Sequence, residues 1–117
     1  FARRDYARAR DAFAGAVERA PTEDARCFAL VWLADATRML GKKQLADVYY
    51  NDALRRYVAL LRSGRGDAEL YVEQIFRIAR RIWGEEKATA FIKDLGKGLG
   101  GRAKKAVEKM LSGSIRD

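Results

Sequence analysis

The chain has 117 residues, with 24 basic and 16 acidic side chains, one cysteine, one proline and no histidine. That length holds a buried core without the disulfides or metals that chains below about 40 residues need, and the lone Cys27 excludes an internal disulfide. Apolar and charged fractions of 49% and 34%, rich in Ala, Leu, Arg, Lys and Glu, exclude a disordered chain and favour helix over sheet.

Tyr6 to Ala20 reads as an amphipathic helix with Tyr6, Ala9, Phe13, Ala16 and Val17 on one stripe. Pro21 stops it, and Thr22 is placed to cap a second helix whose first turn carries Glu23 and Asp24. That helix runs to about Leu40, where Gly41 suits a C-cap. A third helix is expected from Gln44 to Leu61, followed by the break Ser63, Gly64, Arg65, Gly66. Asp67 caps a fourth from Ala68 to Trp83, and Gly84 ends it. A fifth runs from Glu85 to about Leu95. Gly96 to Gly101 reads as a flexible hinge, and Arg102 to Leu111 as a short final helix. No stretch alternates with period two for long enough to be a strand.

The longest strongly apolar stretch, Cys27 to Ala34, is far short of the roughly 20 residues of a membrane span. Phe1 to Arg10 has no signal-peptide core, so a cytoplasmic location is expected, although a chain beginning at Phe1 leaves an upstream segment open. The formal charge of +8 is uneven, because residues 97–117 hold six basic and two acidic side chains, half of the excess. Polyanions and acidic surfaces are therefore open as partners.

Small and large residues recur at fixed offsets, as stacked helical hairpins require. Ala9, Phe13 and Ala16 stand at offsets zero, four and seven; so do Ala46, Tyr50 and Ala53, and Ala88, Ile92 and Leu95. Leu30, Leu33 and Ala34, and again Ile75, Ile78, Ala79 and Ile82, supply a matching first-helix pattern. In these positions the chain resembles the tetratricopeptide repeat family, most closely from Ala9 to Ala53. It departs from that pattern at Thr37, where a large aromatic is usual, and at Val58, where a proline is. The resemblance implies an all-α fold of about six helices, with antiparallel hairpins stacked in an array over residues 1–95, and a Gly-rich hinge with a basic helix over residues 96–117.

The resemblance also implies a groove for a partner's peptide or helix, lined by Phe28, Val31, Asp35, Arg38 and Met39 on one helix and Glu73, Phe76, Arg80 and Trp83 on another. Aromatics and a methionine offer adaptable apolar contact, and arginines pair with carboxylates. Helical phase alone leaves open whether Phe28, Phe76 and Trp83 belong to a groove or to the core. A second candidate is a polyanion site made by Lys97, Arg102, Lys104, Lys105 and Lys109, with Arg77 and Arg81 of an arginine face. Acidic residues on the same helices, such as Glu69, Glu73, Asp47 and Asp52, offer intrahelical pairing instead. The literal GxGxxG of Gly96, Gly98 and Gly101 follows a helix rather than a strand and does not indicate a nucleotide fold.

Catalysis has little to build on: the chain lacks histidine, its thiol sits in the most apolar segment, and its serines have no evident base. The expectation is a non-enzymatic protein-interaction scaffold without cofactor or metal, binding a partner protein or another copy of itself. The alternative is a basic helical nucleic-acid-associated protein.

Overall fold

A computed structural model describes residues 3–116, with side chains described for residues 4–113. The protein is all-α. Six helices follow one another as α1 Arg3–Arg19, α2 Glu23–Met39, α3 Lys43–Arg62, α4 Ala68–Trp83, α5 Glu85–Lys97 and α6 Gly101–Arg116. No strand occurs among the described residues, and no helix among them is long and apolar enough to cross a membrane.

The chain divides into two compact units, one up to Arg56 and one from Tyr57 onward, so the division falls inside α3. In the first, α1 and α2 form a hairpin. Pro21 prevents α1 from continuing, and Thr22 restarts the helix, its Oγ1 accepting the Ala25 N–H at 3.1 Å. Glu23 and Asp24 complement the dipole of the first turn of α2. At its other end α2 closes with two bonds, from the Gly41 N–H to Arg38 O and from the Lys42 N–H to Thr37 O. This is a Schellman arrangement, and it needs the positive φ of 83° that Gly41 adopts.

The core of this unit comes from the inner face of α2, where Cys27, Leu30, Leu33, Ala34 and Thr37 are buried, and from Ala46, Tyr50 and Ala53 of α3. Thr37, which departs from the family pattern of a large aromatic, is fully buried. Its hydroxyl donates to Leu33 O at 2.7 Å, so no polar group is orphaned there.

The second unit places the end of α3 with α4, α5 and α6, and the last three contact one another pairwise. Asp67 caps α4 by accepting the Leu70 N–H at 3.1 Å. Gly84 serves both as the end of α4, donating to Arg80 O, and as the start of α5, accepting from the Ala88 N–H. One residue thus joins two helices, through a φ of 89°. Ile75, Ile78 and Ala79 of α4, Ala88 and Ile92 of α5, and Ala106 and Val107 of α6 are buried.

Several boundaries differ from the sequence expectation: α1 begins at Arg3 rather than Tyr6, and the larger changes are in the second unit. Gly96 is not a hinge residue: it lies within α5 and is buried. A Cβ there would stand 2.8 Å from Val107 Cγ1, so the glycine gives α6 room to approach. The final helix also runs on past Leu111 to Arg116.

Candidate functional site

The most unusual surface of the first unit is the outer face of α2. Phe28, Trp32 and Met39 are 51%, 41% and 52% exposed. With Asp35 they follow the spacing four, three, four, which keeps all four positions within about 60° of one another around a helix of 3.6 residues per turn. Cys27, Leu30, Ala34 and Thr37 occupy the opposite side and are buried. The helix is therefore apolar on both faces, and only the inner one is covered.

The stripe is held in place. Phe13 of α1 stacks on Trp32 with ring centroids 5.8 Å apart and planes 24° apart, and Phe28 meets the other side of Trp32 at 6.0 Å. Three aromatics thus form one continuous patch. Asp35 is half-buried and accepts a hydrogen bond from the Tyr50 hydroxyl, which ties α2 to α3. A second tie is charged. Arg56 donates to both oxygens of Glu23 at 3.0–3.1 Å and to Asp52 Oδ1 at 3.0 Å. Arg26 adds bonds to Glu23 and to the Val17 carbonyl of α1. These bonds raise the guanidinium pKa of Arg56, the Asp52 hydrogen bond contributing most.

Of the residues expected to line a groove on α2, Phe28, Arg38 and Met39 are exposed and Asp35 is half-buried. Val31 is different: at 3% exposure it is a core side chain and offers a partner no surface. Its position one residue before Trp32 puts it on the flank that packs inward. Trp32 itself escaped the sequence reading, which followed the positions implied by resemblance. The four-three-four spacing was the signal that pointed to it.

On α4 the expected residues are Glu73, exposed; Phe76, half-buried; and Arg80 and Trp83, both exposed. They are engaged within the unit. The Arg80 guanidinium lies over the Phe76 ring at 5.6 Å, and Trp83 meets Phe91 of α5 at 5.4 Å.

The basic residues separate into two groups. Arg102, Lys105 and Lys109, at offsets zero, three and seven on α6, line one side of a cleft of about 470 Å³ whose other side is Gly66 to Glu69 at the start of α4. Lys97, Lys104, Arg77 and Arg81 do not line it. Lys97 pairs with Asp94 at 3.3 Å, and Lys104, Arg77 and Arg81 are exposed. Within the cleft Lys109 reaches Glu69 at 3.2 Å, and Arg102 donates to Gly64 O at 3.4 Å.

Cys27 is fully buried, and its thiol is pushed up to about 12, first by desolvation and then by the charge of Glu23. At neutral pH it is a protonated thiol, not a nucleophile. No group of three or more Cys, Asp or Glu side chains suited to a metal occurs among the described residues. Comparison with protein-family models, with curated proteins and with solved structures finds no match.

Proposed function

We propose that this chain is a non-enzymatic protein-interaction module that docks an amphipathic helix of a partner protein along the outer face of α2. The observation that carries this reading is the exposed stripe of Phe28, Trp32 and Met39 on one helix face, backed by Phe13. Contiguous exposed apolar surface of this kind marks interaction sites, and Trp and other aromatics held rigidly by neighbours dominate binding energy. The four-three-four spacing is that of a helix seam, which favours a helical occupant over an extended one. Asp35, inside the stripe, favours a partner with a basic residue at the facing position.

The tetratricopeptide-like character of the hairpins belongs to the same proposal. It is supported by the burial of the residues that carry the resemblance, among them Leu30, Leu33, Ala34, Ala46, Tyr50 and Ala53. The absence of catalysis is part of the proposal too, supported by the inert thiol of Cys27. A reducing, cytoplasmic location accords with a cysteine that is unpaired.

The test is selection of helical peptides against the full chain, followed by titration monitored by Trp fluorescence in a Trp83→Phe background, which leaves Trp32 as the only indole. Binders should blue-shift the Trp32 emission, tolerate a rise from 50 to 500 mM NaCl, and lose affinity at least tenfold with Met39→Ser or Phe28→Ser, roughly the loss of one anchor residue. Binders indifferent to both variants would remove α2 as the docking face.

The second reading, a basic helical nucleic-acid-associated protein, is supported by the clustering of Arg102, Lys105 and Lys109 on one side of α6. It has less behind it, because Lys97 and Lys109 already face carboxylates. Oligonucleotide binding that weakens steeply with salt would favour it over the first.

A further inference from the structure

We propose that the cleft between the start of α4 and α6 binds a small oxyanion of the phosphate or phosphate-monoester class. This site is separate from the α2 stripe and does not rest on the docking reading.

Its basis is a charge imbalance inside a defined cavity. The cleft, about 470 Å³, is of a size that holds a small ligand. Three cations face into it from α6, and two carboxylates, Asp67 and Glu69, line it from α4. Glu69 pairs with Lys109 at 3.2 Å, whereas Asp67 Oδ1 accepts the neutral Leu70 N–H at 3.1 Å and keeps its charge, so the lining carries a net charge of +1. Arg102 meets only the neutral Gly64 carbonyl. Among the described residues, no carboxylate forms an ion pair with Arg102 or Lys105. The cleft therefore keeps two cations one helical turn apart on one face, a spacing at which like charges repel.

An anion seated between Arg102 and Lys105 relieves that repulsion. Arg102 offers a planar fork suited to two oxygens of a phosphate, and Lys105 a point charge beside it. Ala106, which also lines the cleft, is buried and small. A long polyanion is the poorer fit. Lys104, the next cation on α6, lies outside the cleft, and Lys97 is held by Asp94.

The experiment is an amide NMR titration of the full chain with inorganic phosphate and with pyrophosphate, at ionic strength held constant with chloride. Saturable shifts centred on Glu69, Arg102, Lys105 and Ala106 are expected. Lys105→Ala should weaken binding by about tenfold, the order of one charge-assisted bond, and Arg102→Gln by a similar factor, while Lys104→Ala binds as the parent does. Shifts that rise linearly without saturating, or that survive both Lys105→Ala and Arg102→Gln, overturn the site. A third arm uses a ten-nucleotide single strand. If it binds more tightly than pyrophosphate and shifts Lys97 and Lys104 as well, the ligand is a nucleic acid backbone, and the small-oxyanion assignment falls.

Discussion

In the first unit α2 turns Phe28, Trp32 and Met39 to solvent, whereas in the second unit α4 turns out Glu73, Arg77, Arg80 and Arg81 and leaves one large aromatic, Trp83, exposed at its last residue. The polar ties differ as well. Those at α2 join it to α3, Tyr50 to Asp35 of the stripe and Arg56 to Glu23 and Asp52, with these charged side chains partly exposed. In the second unit Val107 of α6 lies over Gly96 of α5, an apolar contact, and the Lys109–Glu69 pair lies in solvent with side chains 73% and 65% exposed. An amphipathic helix in water puts its charges outside, as α4 does. At α2 the outer face departs from that pattern, and apolar area left in water carries a free-energy cost of about 25 cal/mol per Å²; the docking proposal rests on this departure.

The strongest way to break this comparison is at Tyr50. Its ring is 2% exposed, so Tyr50→Ala should cost about 3–5 kcal/mol in urea unfolding, in line with other buried aromatic truncations. Tyr50→Phe should cost roughly 1–2 kcal/mol, because the ring stays while the hydroxyl bond to Asp35 is lost. Equal effects from the two would mean that packing at Tyr50 contributes little and that only the polar tie matters.

Cys27 offers a test by pH. Its folded-state pKa of about 12 stands above the ordinary value of 9.0, so the folded protein holds the thiol proton more tightly than the unfolded chain does. The stability this contributes is present in full below pH 9 and is lost as pH rises toward 12, by an amount on the order of a few kcal/mol. Cys27→Ala should flatten that part of the stability curve relative to the parent. Parallel curves for the two proteins above pH 9 would place the thiol in water.

The smallest pair of effects comes from one substitution made at two glycines of the second unit. Gly96→Ala forces a Cβ to within 2.8 Å of Val107 Cγ1 and should destabilise by about 1–3 kcal/mol. Gly113→Ala, in α6 with open space around it, should stabilise by about 0.5–1 kcal/mol through helix propensity. Opposite signs in urea unfolding sharpen the claim that α6 packs on α5 at Gly96. The same sign at both would remove it.

Much of this architecture was legible beforehand because it is set locally. Pro21, Thr22, Gly41, Asp67 and Gly84 each act on the residues within four positions of them, and each begins or ends a helix as its chemistry requires. Gly96 was misread for the complementary reason. A glycine inside a run of glycines looks like a loop, and the side chain that explains it, Val107, lies eleven residues away. The surface is legible only in part: resemblance points to Phe28 and Met39, which are exposed, and to Val31, which is core, but not to Trp32. The basic residues were seen as one cluster, although the fold sorts Arg102, Lys105 and Lys109 into a cleft and leaves Lys97 and Lys104 outside it.

By itself, then, the sequence determined that the chain is helical, where the capped and glycine-ended helices start and stop, and which small and aromatic residues recur at helical spacing, because those properties depend on backbone chemistry over a few residues. Tertiary structure decided which side of a doubly apolar helix is covered. For α2 periodicity gives two equivalent apolar faces, and only the neighbours that bury Leu30 and Ala34 while Phe13 stacks on Trp32 distinguish core from surface.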